Sequence, residues 1–429
     1  MGRGNVGGVV TGAMRGSDGL EERAGEVGGR RPPSWGAIAV LATAYLAYAV
    51  NGVVNSELGP ALPRLSEAFH VRTSAVGLLF TAQFAGYLVG ALLGGVTADR
   101  WGYRHIMAPA ALMTAIGTAG LAFVGAWPAA LALTAAAGFG FGVTDSLCNA
   151  VVAAAAPREG SAALNLLHTF FGVGALAGPL IVAATVDGPG GWQVAFVIGG
   201  ALALALTIAL IVAPIPLPAH LAGQEPTNPQ ATGLAGPAPL RSPWLWAFVT
   251  LLFLFVGVEQ LTGGWATTYL HTVIKAPLDV AARGAAFYWG AVTVGRLLAS
   301  AAALRLSNNW LLGGSVVLAC LSMIGLTVSN SVWPALVALS AVGFFFAPIY
   351  PTIVAIIARA YPRRFATLAG LLVAGGGLGG AVFPLVGGAL GQGARATLWV
   401  GVAILAAMIV VFLASRRLDP LSRREEQAG

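Results

Sequence analysis

The sequence predicts an all-α membrane protein with twelve transmembrane helices in two six-helix pseudo-repeats. Three observations lead to this fold class. Of the 429 residues, 57% are hydrophobic and 9% are charged, whereas a soluble domain carries roughly 25% charged residues. The apolar residues fall in runs long enough to cross a bilayer. The second half of the chain repeats the first at a constant offset of 205 residues.

Twelve apolar segments of about 20 residues are each long enough for one spanning helix. Those of the first half are 36–58, 74–97, 105–126, 128–156, 162–185 and 192–213. Those of the second half are 243–271, 282–304, 310–329, 332–357, 365–390 and 395–415. We therefore expect an N-terminal six-helix bundle over 36–213 and a C-terminal six-helix bundle over 243–415.

The segments outside the two bundles have a different composition. Residues 214–242 are rich in Pro, Gly, Ala and Thr, which predicts a flexible cytoplasmic linker. Residues 1–35 are rich in Gly and Arg and lack the pattern of a signal peptide. We expect them to form a disordered cytoplasmic tail, and residues 416–429 to form a cytoplasmic C-terminal tail.

The basic residues lie at the ends of the apolar runs. With the N-terminus in the cytoplasm, 17 of them fall on the cytoplasmic side and 5 on the outer side. This asymmetry predicts a multi-pass protein of the cell membrane with both termini in the cytoplasm. The basic residues form no single stripe, so we expect no nucleic-acid partner. The preference for Arg over Lys, with abundant Ala and Gly, indicates a bacterial source.

The internal repeat is visible in glycines and prolines that fall on each other at the 205-residue offset. Gly138 falls on Gly343, and Pro157-Arg158 falls on Pro362-Arg363. The remaining pairs are Gly90 with Gly295, Arg100 with Arg305, Gly172 with Gly377, Gly174 with Gly379, and Pro179 with Pro384. Two repeated six-helix halves are typical of transporters that rock about a site near the membrane midplane.

The segment after the second span reads Gly95-Val-Thr-Ala-Asp99-Arg100-Trp-Gly102-Tyr-Arg104. It resembles the cytoplasmic loop signature of the major facilitator superfamily. The resemblance implies the major facilitator fold and a gating role for Gly95, Asp99, Arg100, Gly102 and Arg104, which would latch the two halves on the cytoplasmic side. Asp99 suits the positive end of a facing helix. The alternative is a plain anchor of the positive-inside type.

Further segments in spans 1, 5, 7 and 8 are similar to the fucose-permease branch of that superfamily. They are Gly59-Pro60-Ala-Leu-Pro63, Leu164-Asn165-Leu-Leu-His168, Gly257-Val-Glu259 and Gly295-Arg296. This resemblance implies proton-coupled sugar uptake.

Ionisable side chains inside spans are costly and are usually functional. Asp145 lies 12 residues before Pro157, which places it about 18 Å along the helix, near the midplane. The fucose-permease branch also carries an essential carboxylate in span 4, and Asp145 matches it. We expect Asp145 and Glu259 to couple transport to protons. His168 and Glu57 are candidates for a proton relay; the alternatives are a neutral interhelical hydrogen bond for His168 and a solvated outer surface for Glu57.

Amide, hydroxyl, aromatic and guanidinium groups in the spans are candidates for binding the substrate. They are Asn51, Asn55, Asn149, Gln83, Tyr87, Gln260, Trp265, Trp289, Arg296 and Tyr350. Either tryptophan would stack on the apolar face of a sugar ring or pack in the ordinary way. Arg296 would pair with Asp145 or Glu259, or bind an anionic substrate.

These observations predict a secondary active transporter that moves a small polar, sugar-like solute by alternating access and proton symport. The expected partners are that solute, protons and the bilayer, and we expect a monomer that is not an enzyme and uses no cofactor or metal. One alternative is a proton-linked efflux antiporter, because Gly174-Ala-Leu-Ala-Gly178-Pro179 matches the first half of an antiporter motif. The other alternative is a non-transporting membrane receptor.

Overall fold

The computed structural model describes residues 35–155, 160–212, 240–303, 305–361, 365–390 and 394–418. These residues form α-helices and no β-strand, which confirms the predicted all-α class. Both tails, most of the linker and the Pro-Arg pairs at 157–158 and 362–363 lie outside the described residues.

The helices number six in each half when two interrupted spans are counted once. The first half contains α1 (Trp35–Ala68), α2 (Thr73–Val76 followed by Leu78–Trp101), α3 (Tyr103–Leu121), α4 (Trp127–Ala155), α5 (Gly160–Thr185) and α6 (Gly191–Val212). The second half contains α7 (Pro243–Thr272), α8 (Leu278–Ala302), α9 (Asn308–Val328), α10 (Val332–Phe346 followed by Ile349–Ala360), α11 (Phe365–Leu390) and α12 (Ala394–Arg417).

Ten of these spans are long and apolar enough to cross a membrane. The other two, α3 and α8, contain 19 and 25 residues and are more polar. α3 begins with Tyr103-Arg104-His105, and α8 carries Asp279, Arg283 and Arg296. All twelve pack into one bundle. We call the end that holds the start of α1 and the end of α12 the termini face, and the other end the opposite face.

Glycines allow helices within each half to cross at backbone contact. A methyl group on Gly90 of α2 would lie 2.1 Å from the Phe139 carbonyl oxygen of α4. At the equivalent place in the second half, a methyl group on Gly295 of α8 would lie 2.7 Å from the Phe344 carbonyl oxygen of α10. Small residues permit this close approach of helices in a membrane. The 205-residue offset therefore marks equivalent helix crossings.

A second pair of crossings obeys the same relation. A methyl group on Gly174 of α5 would lie 1.9 Å from the Ala49 carbonyl oxygen of α1, and one on Gly379 of α11 would lie 1.9 Å from the Phe253 carbonyl oxygen of α7. The α1–α5 and α7–α11 pairs are thus built alike. The equivalent helix contacts at these paired glycines confirm the predicted pseudo-repeat.

The two halves meet along α2 with α11 and along α5 with α8. A methyl group on Gly377 of α11 would lie 2.4 Å from Leu88 of α2, and one on Gly172 of α5 would lie 2.3 Å from Thr293 of α8. Leu88 and Thr293 are themselves 205 residues apart. The interface therefore has the same pseudo-twofold symmetry as the halves.

Helix α1 continues ten residues beyond the predicted end at residue 58. It passes through Pro60 and Pro63 to Ala68. Proline is tolerated inside membrane helices when neighbouring groups satisfy the freed backbone. The extension also buries Leu62 and Leu65 in a hydrophobic cluster that includes Leu261 and Trp265 of the second half.

Gly102 makes the break between α2 and α3. Its backbone has φ +82° and ψ 144°, a region that residues with a Cβ avoid. We expect Gly102→Ala to lower the free energy of unfolding by about 1–3 kcal/mol, measured by thermal unfolding in detergent. Gly95→Ala is the matched control, because no described residue lies within 4 Å of a methyl group there. Equal unfolding temperatures for the two variants would contradict this explanation of the turn.

Candidate functional site

A hydrogen-bonded cluster surrounds Asp145 in the first half. The Tyr87 hydroxyl of α2 donates to Asp145 Oδ2 at 3.0 Å. The Tyr48 hydroxyl of α1 donates to the Asp145 backbone oxygen at 3.3 Å, and Asn149 Nδ2 donates to the Tyr48 hydroxyl. Hydrogen bonds therefore tie α1, α2 and α4 together around Asp145, and Tyr87 contacts its carboxylate. Asp145 and Asn149 are half-buried, so they keep access to the space between the helices.

A second charged cluster lies in the second half. Arg296 Nη2 of α8 is 3.9 Å from Glu259 Oε1 of α7, a long ion pair. The Glu259 side chain is 9% exposed and the Arg296 side chain 29%. Glu259 Oε1 has no hydrogen-bond partner in the described part of the chain. Tyr288 donates to the Glu259 backbone oxygen at 3.1 Å and so fixes the helix rather than the carboxylate.

Tyr350 and His168 connect the two clusters. Tyr350 of α10 lies close enough to Asp145, Glu259 and Arg296 to interact electrostatically with all three. His168 of α5 lies within electrostatic reach of Arg296, and its ring packs edge-on against Tyr48 at 5.5 Å. The carboxylates predicted to couple protons therefore face one shared space between the halves.

This space opens toward the termini face. Leu88 of α2 packs on Gly377, whereas Leu92, one turn nearer the termini face, is 68% exposed. Thr293 of α8 packs on Gly172, whereas Leu297, one turn nearer the termini face, is 57% exposed. Residues four apart lie on the same face of a helix. Between the site and the termini face, the two halves therefore separate along both of their interfaces.

The opposite face is closed by backbone packing. A methyl group on Gly59 of α1 would lie 2.9 Å from the Gly263 carbonyl oxygen of α7, and one on Gly77 of α2 would lie 2.9 Å from the Pro384 carbonyl oxygen of α11. The Thr81 hydroxyl donates across the halves to the Ala381 carbonyl at 2.9 Å. The site is thus open at one end and sealed at the other.

Comparison with protein families decides the assignment. A family model described as Major Facilitator Superfamily matches residues 44–284 and 276–429. The chain belongs to the major facilitator superfamily. The predicted resemblance and the transmembrane fold class are confirmed.

Several relatives of this major facilitator are named for a substrate, and two of them are described here. The glucose/galactose transporter of Brucella abortus is 25% identical over 347 residues, which are 77% of this chain and 82% of that protein. The 3-(3-hydroxy-phenyl)propionate transporter of Escherichia coli is 29% identical over 241 residues, which are 54% of this chain and 58% of that protein. Both relatives are transporters, which confirms the expectation of a transporter rather than an enzyme.

Among solved structures, the major facilitator FucP in its outward conformation shares the fold. The TM-score is 0.62 at 18% identity, over 90% of this chain and 99% of FucP. With the family assignment, this supports a multi-pass membrane protein that acts as a secondary transporter of small molecules. At this identity the likeness to FucP shows the fold and not the branch of the superfamily.

Several residues predicted to bind substrate lie outside the shared space of this transporter. Trp265 is fully buried, and its indole nitrogen donates to the Pro384 carbonyl at 3.0 Å at the closed opposite face. Trp289 is buried against Gly263. Asn51 is buried and donates to the Thr144 hydroxyl at 3.0 Å. Packing between helices accounts for all three in this conformation.

The remaining predicted polar residues differ in how deeply they are buried. Gln83 and Asn55 are buried, and Gln83 Oε1 has no hydrogen-bond partner in the described residues. Gln260 is half-buried beside Glu259. Glu57 is fully buried, so the solvated-surface alternative for it is wrong. Its carboxylate lies against Gly199 of α6, because the longer α1 carries it into the bundle.

The predicted gating residues lie at the termini face. Gly95, Arg100 and Arg104 are exposed, and Arg104 donates to the Ile211 carbonyl at the end of α6. Gly102 makes the turn into α3. The Asp99 side chain is outside the described part of the structure, so the latch stays a prediction.

Tyr48 is a site residue that the candidate set omits. It lies one turn before Asn51 on the polar face of α1, and this spacing was a usable signal. Its ring also packs at 6.3 Å from Phe171. Its partners on α4 are about a hundred residues away, so only the folded bundle identifies them.

The Glu259–Arg296 pair leads to a double-variant prediction. We expect Arg296→Gln alone to lower the unfolding temperature, because it leaves a buried carboxylate without its cation. Glu259→Gln in the same chain should restore much of the loss, since both charges are then absent. The effect is smaller than for a fully buried pair, because Arg296 is partly exposed. A double variant no more stable than Arg296→Gln would contradict the pairing.

Proposed function

We propose that this transporter is a proton symporter that carries a small polar solute, with sugars favoured, into the cell by alternating access. The observation that carries the proposal is the half-buried Asp145 carboxylate, hydrogen-bonded by Tyr87 in the space shared by the two halves. A charge at this depth in a bilayer is costly and marks a functional path.

Protonation of Asp145 supplies the coupling. Low dielectric disfavours the charged form of a carboxylate. The neutral form can pass an apolar closure that the charged form resists. Tyr87 donates to the ionised form, and Tyr350 lies within electrostatic range of Asp145 and of the Glu259–Arg296 pair. Binding of a proton at Asp145 is thereby linked to the charges of the other half.

Alternating access rests on the unequal closure of the two faces. The positive-inside rule assigns the termini face to the cytoplasm. The conformation is then open to the cytoplasm and closed to the outside at Gly59, Gly77 and Thr81. Rocking the bundles 36–213 and 243–415 about the site would exchange the open face. In this proposal the linker 214–242 and both tails lie in the cytoplasm of a bacterial cell, and one chain is the working unit.

A sugar suits the uncharged polar groups beside Asp145. The half-buried Tyr87, Asn149 and Tyr350 offer hydroxyl and amide groups that can exchange hydrogen bonds with sugar hydroxyls. The relative from Brucella abortus is named for glucose and galactose. These two observations support the sugar class together.

A small organic anion is the second candidate substrate. Arg296 is 29% exposed and pairs with Glu259 only at 3.9 Å. Its guanidinium keeps donors for a carboxylate, which it can bind with two parallel hydrogen bonds. The relative from Escherichia coli is named for an aromatic propionate. Arg296 is therefore the residue on which the two substrate classes differ.

The experiment is an uptake panel in proteoliposomes with an inwardly directed proton gradient. Radiolabelled hexoses, pentoses and aromatic carboxylates are tested with the native chain and with Arg296→Gln. We expect sugar accumulation that collapses when an ionophore removes the gradient. Accumulation of carboxylates that Arg296→Gln abolishes would favour the anion class. Accumulation only with the gradient reversed would identify a proton-linked antiporter and overturn symport.

A further inference from the structure

Glu57 is a buried acid that the proposed transport path does not use. It lies on α1, and its exposed fraction is 0%. Neither carboxyl oxygen has a hydrogen-bond partner in the described part of the chain. A buried ionised carboxylate without partners is unfavourable by far more than a neutral one. The packing around Glu57 therefore fits the neutral, protonated acid.

Small residues form the cradle around the Glu57 carboxyl group. A methyl group on Gly199 of α6 would lie 2.5 Å from Glu57 Oε2. A methyl group on Gly178 of α5 would lie 2.3 Å from the Ser56 hydroxyl and 3.3 Å from the Glu57 backbone nitrogen. The Ser56 hydroxyl already donates to the Gly52 carbonyl at 2.8 Å. The cradle is tight, and the hydroxyl of the neighbouring Ser56 bonds within its own helix.

Among the residues that the structure describes, no cation lies near Glu57 on the helices that pack against it. Helix α6 contains no titratable residue, and the titratable residue of α5 is His168, ten residues or about 15 Å along the helix from Gly178. On α1 itself, Arg64 lies about 10 Å further along, where it pairs with Glu67 and Asp187 at 3.1 Å each. On the facing α7, Glu259 is engaged with Arg296.

The same turn of α1 closes the opposite face. Gly59 follows Glu57 by two residues and packs on the Gly263 and Gly264 backbone of α7. Pro60 has no N–H, so the Ser56 carbonyl lacks its usual helical donor. Pro63 has the same effect on the Gly59 carbonyl. This part of α1 is therefore a weak point of the helix, where a change at Glu57 can move the contact at Gly59.

We propose that Glu57 is a proton-binding site, separate from Asp145, whose protonation permits α1 to close the opposite face. Ionised Glu57 must leave its cradle to reach water, and α1 then withdraws Gly59 from α7. One proton binds as the opposite face closes and is released as it opens. The device makes closure sensitive to pH on that side of the membrane.

A proton fits the cradle better than a sodium ion. A monovalent metal ion needs several oxygen ligands in place of its water shell. The cradle offers the two Glu57 oxygens and glycine backbone, while the Ser56 hydroxyl bonds its own helix. The same experiment distinguishes the two cations, because pH and sodium concentration can be varied separately.

The test is a thiol-labelling experiment on the full chain in liposomes. Cys148 and Cys320, both buried, are replaced by Ala, and Ser74→Cys is introduced as a probe. Ser74 lies at the opposite face, where its backbone oxygen would be 2.8 Å from a methyl group on Gly388. The rate of labelling by a membrane-impermeant maleimide is measured against pH for the probe chain, for Glu57→Gln and for Glu67→Gln. Glu67 is an exposed acid near the end of α1 and serves as the matched control.

At each pH the rate is divided by that of a fully exposed cysteine, because only the thiolate reacts with the maleimide. We expect this normalised rate, for the probe chain and for Glu67→Gln, to rise by up to about tenfold per pH unit, as release of one proton requires. In Glu57→Gln, the labelling rate should depend on pH more weakly, by up to the equivalent of one proton. The rate should also stay low at every pH. An unchanged slope in Glu57→Gln would overturn the proposal. So would control by sodium at fixed pH, or a Glu57→Gln chain that fails to fold, because the neutral amide should fit the cradle. The readout needs no substrate, so it can fail while the role of Asp145 stands.

Discussion

Asp145→Asn should abolish proton-driven accumulation while leaving solute exchange measurable. The amide keeps the size of the side chain and can still accept from Tyr87, but it cannot bind and release a proton. The carrier would then move solute only down its own gradient. The measurement is uptake by proteoliposomes with an imposed proton gradient, alongside exchange of labelled for unlabelled solute with no gradient.

Asp187→Asn is the matched control for this variant. Asp187 follows α5 and is half exposed, where it pairs with Arg64 at 3.1 Å. An exposed pair of this kind contributes little to stability, so Asp187→Asn should accumulate solute like the native chain. Full accumulation by Asp145→Asn would remove Asp145 from the coupling mechanism. Loss of both accumulation and exchange would instead indicate that Asp145 is needed for binding.

Gly77→Leu should stop transport by preventing closure of the opposite face. A methyl group at Gly77 would lie 2.9 Å from the Pro384 carbonyl oxygen and 3.3 Å from the Leu385 Cα. Neither backbone atom can turn aside as a flexible side chain could. The larger leucine would hold α2 and α11 apart and so favour the state open at the opposite face. We expect uptake to be lost and a Ser74→Cys probe in this chain to react at a high rate.

Gly314→Leu is the control for adding a leucine to a membrane helix. Gly314 lies in α9, and within the described part of the chain no atom comes within 4 Å of a methyl group there. This variant should transport normally and keep the low labelling rate at Ser74. Normal transport by Gly77→Leu would mean that the contact between α2 and α11 does not close the carrier.

The fold was predictable to the extent that it depends on hydrophobic length and on glycine spacing. Gly90 with Gly295 and Gly174 with Gly379 were paired by offset, and the structure places each pair at an equivalent crossing. The end of α1 was not predictable in the same way. Whether Pro60 ends a helix depends on neighbours that satisfy the freed backbone, and those neighbours come from other helices.

The sequence predicts the carboxylates of the site better than it predicts the side chains that bond to them. The depth of Asp145 follows from counting residues along one helix. Its partner Tyr87 lies 58 residues away, and no helical spacing relates the two. Glu57 is the clearest example of what the sequence could not predict. Whether its side chain is solvated or buried depends on the direction in which it leaves α1. Only the packing of α5 and α6 settles that direction.

The most direct test of proton symport is the proton movement that solute itself drives. Proteoliposomes with no starting gradient receive a solute that the uptake panel identifies, and the external pH is recorded. Inward symport predicts that the medium becomes more alkaline on addition of solute, and that Asp145→Asn abolishes this change. Solute uptake with no change in pH, or with acidification of the medium, would contradict the account.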